Sequence, residues 1–268
     1  MGIRRWCAVL GLVGLGVSGM GGVAAGATAL TVTPSTNLVD GQLVSVSISG
    51  FPADTSIAVV ECGPGAIDAN GCDLRTLQYL TTDANGQLVT PFIVAAVLST
   101  FNGTVDCRTA ACSVGAGTFD LSATAGAPIA FNPTAPLAPP LQLGLTVDPT
   151  GKVNNRTNVA TISGTVTCNR TAIVYVSGEL TQLIPFHGVS LVSSSYFEQP
   201  QVICGSPTTT TAWSATVPTS TSVFPGGSVI IGYKVGNATA NVDAYGNGGT
   251  SSAYTSVADA TIRLRSSH

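Results

Sequence analysis

The stretch GTVDCRTAACSVG, residues 103–115, carries the most information about the fold of this chain. Its two cysteines, Cys107 and Cys112, stand five positions apart, so a disulfide between them would close a tight loop. A second pair, Cys62 and Cys72, stands ten positions apart around GPGAIDANG. Cysteines at such spacings are typical of exported domains that are stabilised by disulfides.

The composition around these loops favours β-structure. Charged residues make up 9% of the 268 residues, and small or β-branched residues dominate the remainder. Thr and Val fit a pleated surface, whereas Gly and Pro interrupt helices. Because 44% of the residues are hydrophobic, the chain does not have the composition of a disordered protein. We therefore expect an all-β globular protein.

The N-terminus has the pattern of a secretory signal peptide. Arg4 and Arg5 precede an apolar run at residues 6–23, and small residues follow it. Three cleavage positions are available, after Ala25, Ala27 or Ala29. An uncleaved membrane anchor is the alternative, but the run is rich in glycine and shorter than the ~20 residues that a span needs. We assign residues 1–29 to the signal peptide and expect a secreted, extracellular protein.

Cleavage would remove Cys7 and leave an even number of cysteines, as disulfide pairing requires. No later apolar run is long enough to span a membrane, so we expect no membrane association after cleavage.

Proline marks the division into domains. Four prolines lie within NPTAPLAPPLQL, residues 132–143. Since proline favours extended and solvated backbone, we predict a semi-rigid linker over residues 133–143. The alternative is an edge strand or surface loop within one domain. The predicted division is a first domain at residues 30–132 and a second domain at residues 144–268.

Local patterns predict strands in the first domain. LVSVSIS, residues 43–49, alternates apolar and polar residues, as a half-buried strand does. Asp83-Ala84-Asn85-Gly86 separates YLTT from QLVTPFIV, and Asn-Gly between two apolar runs predicts a β-hairpin.

The sequence pattern of the second domain predicts an immunoglobulin-like sandwich of about seven short strands. Ala160, Ile162, Gly164, Val166 and Cys168 would share one face of a strand. The domain also has the Cys…Cys…Trp composition of such folds, although its tryptophan follows both cysteines instead of lying between them. SGTVTC, residues 163–168, is similar to uncharacterised secreted sandwich modules that are common in actinobacteria.

The first domain resembles the neocarzinostatin family of apoproteins. The matching motifs are TVTPS at residues 31–35, Asp40-Gly41, the two cysteine loops, the DANG turn and Ala130-Phe131-Asn132. They match over residues 31–132 and need no gap between residues 31 and 86. The resemblance implies a seven-stranded β-sandwich whose cleft holds an enediyne chromophore. In this family the chromophore cleaves DNA, and the protein protects and delivers it.

The resemblance, together with proximity in sequence, predicts the disulfides Cys62–Cys72, Cys107–Cys112 and Cys168–Cys204. It also implies a ligand site at Leu77, Phe101, Ser113, Gly115 and Gly117. Glycines would let a flat ligand approach the backbone, and Leu77 and Phe101 would supply apolar walls.

The sequence departs from the family pattern around that site. Pro64 stands where the family's best-known member has a cleft tryptophan, and Leu77 replaces a phenylalanine. The hairpin before Gly103 is about six residues shorter and is reduced to LSTFN, where Phe101 is the candidate substitute.

Charge argues against direct nucleic-acid binding by the polypeptide. Residues 30–133 contain eight acidic residues and two arginines, and residues 141–268 contain five acidic and six basic residues. Neither half has the basic stripe that phosphate binding requires. Glu61, Asp68 and Asp73 lie around the first disulfide loop, and we expect them to serve surface solubility; a polar rim for the cleft is the alternative.

We find no pattern of an enzyme or of a metal site. His187 and His268 have no evident thiolate or metal partner once the cysteines are paired. The prediction is a non-enzymatic apoprotein that has no cofactor other than a non-covalent apolar, polycyclic chromophore. The alternative is a structural or adhesive envelope protein that has lost the chromophore site. The partner of the second domain cannot be read from the sequence.

Overall fold

A computed structural model describes residues 27–186, 189–197, 200–205, 209–224 and 227–267. Most of the predicted signal peptide, with Cys7, lies outside these ranges, as do His187 and His268. Within them, no helix has the length and the hydropathy to cross a membrane. We refer to residues 27–132 as the N-terminal region and to residues 141–267 as the C-terminal region.

The N-terminal region is a two-layer β-structure. Its strands are β1 (Ala29–Thr33), β2 (Leu43–Ser49), β3 (Ser56–Cys62), β4 (Cys72–Thr81), β5 (Leu88–Ile93), β6 (Val97–Thr100), β7 (Gly103–Asp106), β8 (Cys112–Thr118) and β9 (Thr124–Ile129). One sheet has the order β1-β2-β5 and the other has the order β4-β3-β8-β9, while β6 and β7 form a separate hairpin. A short 3-10 turn, Ala69–Gly71, lies in the Cys62–Cys72 loop.

Alternation along the strands builds the core of this region. In β2, Val44, Val46 and Ile48 are buried, which confirms the predicted half-buried strand. They pack in one apolar cluster with residues of the facing sheet, such as Ile57 and Val114. The cluster excludes water from both inner faces and so holds the two sheets together.

The predicted hairpin at Asp83–Gly86 is wrong. β4 pairs with β3, and β5 pairs with β2, so the turn connects two different sheets. The turn itself is tight: the Asp83 carboxylate accepts hydrogen bonds from the amides of Asn85 and Gln87, each at 2.8 Å. Gly86 has φ +69° and lies against Phe51, where a Cβ would meet the Phe51 carbonyl oxygen. A local turn signal does not specify the strand that each flank will pair with.

The C-terminal region is a larger all-β unit. Its strands are β10 (Leu143–Val147), β11 (Thr150–Asn154), β12 (Ala160–Cys168), β13 (Ala172–Phe186), β14 (Val189–Phe197), β15 (Gln201–Cys204), β16 (Thr209–Val217), β17 (Ser220–Phe224), β18 (Gly227–Ile231), β19 (Gly236–Asn247) and β20 (Ser252–Ser267). Hydrogen bonds run continuously along β10-β12-β11-β20-β19-β13-β14, with β15 beside β13 and β16 beside β12. β17 and β18 form a hairpin.

This region has more strands, and longer ones, than the seven short strands predicted. β13 has 15 residues and β20 has 16. The predicted alternation in β12 is confirmed, with Ala160, Ile162, Gly164, Val166 and Cys168 all buried. Its face encloses a second apolar cluster that is separate from the first.

Trp213 is part of this second core. It is 2% exposed, and its ring stacks on Phe197 with the ring centroids 6.2 Å apart. Its indole nitrogen donates to the Thr146 carbonyl oxygen at 3.2 Å. Gly164 lies opposite Trp213, where a Cβ would come within 2.8 Å of the indole nitrogen. A glycine is therefore required at this position.

The cysteines pair as predicted: Cys62–Cys72, Cys107–Cys112 and Cys168–Cys204. The first two bonds lie within the N-terminal region, and the third joins β12 to β15 in the C-terminal region.

The proline-rich segment is bound to both regions. The amide of Ala138 donates to Asp40 at 3.2 Å, and the amide of Leu141 donates to Ser251 at 2.8 Å. Arg170 forms an ion pair with Asp40 at 3.3 Å and donates to the Pro139 carbonyl oxygen at 2.7 Å. These contacts fix the segment against a buried ion pair that joins the two regions.

Candidate ligand-binding surface

The outer face of the sheet β4-β3-β8-β9 lacks side chains along part of β8 and β9. Gly115 and Gly117 alternate in β8 with the buried Val114 and Ala116, and Gly126 of β9 lies opposite Gly115. A Cβ placed on Gly115 would have no neighbour closer than 3.9 Å. We call Gly115, Gly117 and Gly126 the glycine floor. It is a shallow surface on which a flat group could approach the backbone.

An aromatic pair stands at one end of the glycine floor. Tyr79 stacks on Phe119 with a centroid distance of 5.6 Å and an interplanar angle of 28°. Tyr79, Ala58 and Gly117 follow one another across three neighbouring strands, so the pair flanks the floor. Both rings are about two-thirds exposed, at 66% and 67%. The sequence-based prediction missed this pair, although the alternation in GAGTF places Phe119 on the same face as Gly117.

The first disulfide lies at the other end. Cys62 is opposite Ser113, and its Sγ would be 3.9 Å from a Cβ on Gly115. Its disulfide partner Cys72 lines a cavity of about 260 Å³. The other walls of this cavity are Asp73, Leu74, Arg75, Ser99, Thr100 and Phe101. The glycine floor and the cavity are therefore neighbours on either side of one disulfide.

All five predicted site residues lie along this surface. Ser113, Gly115 and Gly117 share one face of β8, and Phe101 lines the cavity, with 75% of its surface exposed. Leu77 is half-buried in β4, two residues before Tyr79, and does not line the cavity.

The strand that carries Leu77 is irregular. The β3–β4 pairing shifts between Val59 and Glu61. The hydroxyl of Thr76 accepts the Glu61 amide at 3.0 Å and donates to the Asp73 carbonyl oxygen at 2.8 Å. This side chain bonds backbone groups that the shifted ladder leaves unpaired, and β4 bulges beside the disulfide.

Buried carboxylates hold the segment that leads to Phe101. Glu61 accepts the amide of Ala95 at 2.8 Å, and Asp73 accepts the amide of Ser99 at 2.8 Å. Both carboxylates are 0% exposed, so the expectation that they serve surface solubility is wrong. A buried carboxylate needs hydrogen-bond donors, and a segment that crosses between sheets has free amides to offer.

Asp40, which forms the ion pair with Arg170 between the two regions, is a third buried carboxylate that binds this segment. It accepts the amide of Ala96 at 3.1 Å, the amide of Thr250 at 3.1 Å and the Thr250 hydroxyl at 2.5 Å. The same Thr250 hydroxyl accepts the amide of Val97 at 3.2 Å. The C-terminal region therefore helps to position the segment at residues 95–99.

Asp68 differs from the two buried acids. It is exposed and accepts the amide of Asn70 at 2.9 Å, which caps the short turn in the disulfide loop.

The electrostatics of the surface follow from burial. Burial raises the pKa of Glu61 well above its usual range, and the amide of Ala95 opposes this shift. The negative charges of Asp73 and Asp40 raise this pKa further. Among the residues that the structure describes, none bonds to Oε1 of Glu61, and a protonated carboxyl tolerates such an unbonded oxygen better than an ionised one does.

Arg75 is the cation of the cavity. Its Nη2 lies 2.5 Å from Asp73 Oδ2, and this bond raises the pKa of the guanidinium. Arg75 also contacts the C-terminal region, since Nη1 donates to the Thr250 carbonyl oxygen at 3.2 Å and its own carbonyl oxygen accepts Asn247 at 2.7 Å. Over the described ranges, no group of His, Cys, Asp or Glu side chains is arranged to hold a metal ion.

Comparison with known proteins identifies the family. The sequence model of the Neocarzinostatin family matches residues 30–131. The chain is 42% identical over 102 residues to the antitumor antibiotic C-1027 apoprotein of Streptomyces globisporus, an alignment that covers 35% of this chain and 70% of that protein. The chain belongs to the neocarzinostatin family.

Two other proteins are also similar to this chain. Actinoxanthin of Streptomyces globisporus is 41% identical over 102 residues, covering 35% of this chain and 70% of that protein. The solved structure of macromomycin is 32% identical, with a TM-score of 0.36, and covers 39% of this chain and 99% of that chain. The family match lies wholly within the N-terminal region and includes the glycine floor and the cavity.

Proposed function

We propose that this protein is a secreted, non-enzymatic apoprotein that holds an apolar, planar small molecule on the glycine floor. The observation that carries the proposal is the juxtaposition of side-chain-free backbone and exposed aromatic rings. Three glycines leave the sheet open, and Tyr79 and Phe119 stand at its end. Exposed aromatic rings are costly in water, and a flat apolar ligand would cover them.

The family supports the class of ligand. A relative that is 42% identical is an antibiotic apoprotein. We therefore propose an enediyne-like chromophore, bound without a covalent link. Any DNA target would belong to the chromophore.

The remaining features agree with a secreted carrier. The signal-peptide pattern and three disulfides fit an oxidising, extracellular compartment. The N-terminal region has eight acidic residues and two arginines, and both arginines bond to neighbouring aspartates. In a gel shift at physiological salt, we expect no appreciable DNA binding by the unliganded protein. Micromolar affinity with a steep salt slope would contradict this part of the proposal.

A thermal-shift screen of the full secreted chain with polycyclic aromatic compounds tests the ligand site. A ligand at a hundredfold excess over its Kd should stabilise the folded state by ~2.7 kcal/mol. Gly117→Trp should abolish the gain because the indole would cover the floor. A Cβ at Gly117 meets only ordinary contacts, the nearest being Thr124 Cγ2 at 3.4 Å, so the variant should fold.

Val89→Trp is the matched control. Val89 lies on β5 in the other sheet and is 71% exposed, so a tryptophan there places the same indole ring away from the floor. The control should keep the ligand-induced gain. If no apolar aromatic compound stabilises the native chain, the alternative of a structural or adhesive envelope protein is favoured.

A further inference from the structure

A polar cavity of about 390 Å³ opens on the outer face of the C-terminal region, outside the residues of the family match. It lies where the chain passes from β10 to β11. Both strands pair with β12, β10 through Val147 and β11 through Lys152, and the chain between them leaves the ladder. Asp148 lies in this crossing, and its amide donates to the Ser163 carbonyl oxygen at 2.8 Å.

One side of the cavity is cationic. Lys152 and Arg265 are register partners in the parallel pair β11–β20. Their strand neighbours Val153 and Leu264 are buried, so both cations lie on the outer face. In the part of the chain that the structure describes, neither cation has a carboxylate within ion-pair distance, whereas three other arginines do. These are Arg75, Arg108 and Arg170.

The other side of the cavity accepts hydrogen bonds. The Ser163 hydroxyl donates to Asp148 Oδ2 at 2.5 Å. Because its hydrogen is used in this bond, the Ser163 oxygen can act only as an acceptor toward a ligand, as the carboxylate does. Ser214 lies opposite Ser163 on β16, and Thr161 lies between this side and Lys152.

We propose that this cavity binds an acidic sugar, a polyhydroxylated ring that bears a carboxylate or a phosphate. The sugar hydroxyls would donate to Asp148 and Ser163, and the anionic group would lie on Lys152 and Arg265. Arginine suits both anions because its planar fork can donate two parallel hydrogen bonds. A volume of about 390 Å³ is near the lower limit of small-molecule sites, about 300–1,000 Å³, and fits a single sugar unit.

Simpler ligands satisfy only half of the cavity. A neutral sugar would leave both cations without a counter-ion. A bare inorganic anion lacks the several hydroxyls of a sugar ring, and Asp148 would repel it. The two halves match only when one molecule carries both kinds of group.

Titration calorimetry of the full chain tests this site directly. Glucuronate and glucose 6-phosphate are the two acidic probes, and their relative affinities show which anionic group is preferred. We expect at least one of them to bind at least tenfold more tightly than glucose and than inorganic phosphate. The proposal would be overturned if glucose or inorganic phosphate bound as tightly as both acidic sugars do.

Variants separate the site from general attraction of anions. Lys152→Ala and Arg265→Ala should each weaken binding of the acidic sugar at least tenfold. Ser163→Ala should weaken binding of the sugar but leave any weak binding of inorganic phosphate unchanged. Arg156→Ala removes the same charge from the β11–β12 turn, outside the cavity, and should change nothing.

An equal loss in Arg156→Ala would show that net charge, and not the cavity, attracts the ligand. Lys152 and Arg265 are exposed, so their removal should leave the Trp213 core intact, which fluorescence can verify. Because the site lies in the C-terminal region, its failure would leave the proposed function of the N-terminal region unaffected.

Discussion

The two regions of the molecule fix their backbones by different means. The N-terminal region uses strands of 4 to 10 residues, two short disulfide loops and three buried carboxylates. The C-terminal region uses strands of up to 16 residues around a large apolar core, with a single disulfide across 36 positions. Long ladders satisfy backbone groups by pairing them, whereas short strands leave more amides for side chains to bind.

Each candidate site depends on the kind of backbone support that its own region uses. The apolar site lies beside a segment that crosses between sheets, so its walls depend on carboxylates such as Glu61 and Asp73. The polar cavity lies on a continuous sheet whose strands position Lys152 and Arg265. Loss of one buried carboxylate should therefore disturb the apolar site strongly. Loss of one backbone hydrogen bond between the strands should disturb the polar cavity less.

The largest effect should come from the ion pair that joins the regions. Arg170→Ala removes the ion-pair partner of the buried Asp40, and breaking a buried pair in this way typically costs about 3–5 kcal/mol. Urea denaturation measures the loss. Hydrogen exchange at the amides of Ala96 and Thr250 should also accelerate, because both donate to Asp40.

Arg108→Ala is the control for this variant, since it removes a more exposed partner of an aspartate within one loop. Exposed pairs contribute little to stability. If the free energy of unfolding fell equally in the two variants, the Arg170–Asp40 ion pair would not hold the two regions together as its burial indicates.

The next effect separates the disulfides by loop length. Replacing Cys168 and Cys204 by alanine should cost ~4 kcal/mol, because the bond closes 36 positions. Replacing Cys107 and Cys112, which close five positions, should cost ~2 kcal/mol. Denaturation without reductant gives both values. The reverse order would show that residual structure in the unfolded chain outweighs loop entropy.

The buried Glu61 should produce a dependence on pH. Its pKa is raised in the folded state, so its contribution is complete below the ordinary carboxyl range and is lost as pH rises through the raised value. The stability of Glu61→Gln should therefore improve relative to the native chain as pH rises above the ordinary carboxyl range. Asp68→Asn, which removes an exposed carboxylate from the adjacent loop, should not show this trend. Parallel curves for Glu61→Gln and the native chain would contradict the assignment.

The smallest effect on stability should come from the aromatic pair. Tyr79→Ala removes an exposed stacking contact and should cost no more than about 1 kcal/mol. It should nevertheless reduce the ligand-induced thermal shift. Tyr254→Ala removes a tyrosine of similar exposure, 65%, from the C-terminal region and should leave that shift unchanged. A reduced shift in both variants would place the ligand elsewhere.

Local signals in the sequence predicted local structure. Alternation located β2 and the inner face of β12, and spacing located two of the disulfides. The Asn-Gly turn was recognised, but its flanking strands were assigned to one sheet, since a turn motif carries no information about distant partners.

The features that were missed depend on residues far apart in sequence. Asp40 and Arg170 are separated by 130 positions, and Glu61 and Ala95 by 34. From the sequence alone, an acidic residue in a strand is predicted to be exposed, because the distant amide that it binds is not known. The family resemblance predicted the glycine floor at Gly115 and Gly117. The cavity beside Lys152 depends on the register between β11 and β20, which no local sequence pattern predicts.

The parallel pairing of β11 with β20 has a mechanical consequence. The two strands run side by side from Thr150 and Arg263 to Asn154 and Ser267. A force that pulls the start of β11 and the end of β20 apart acts along both strands, in opposite directions. Their hydrogen bonds then bear the load together and do not open one after another. If the C-terminal region is held at a surface while the rest of the chain is pulled, this pair should resist extension as a shear clamp.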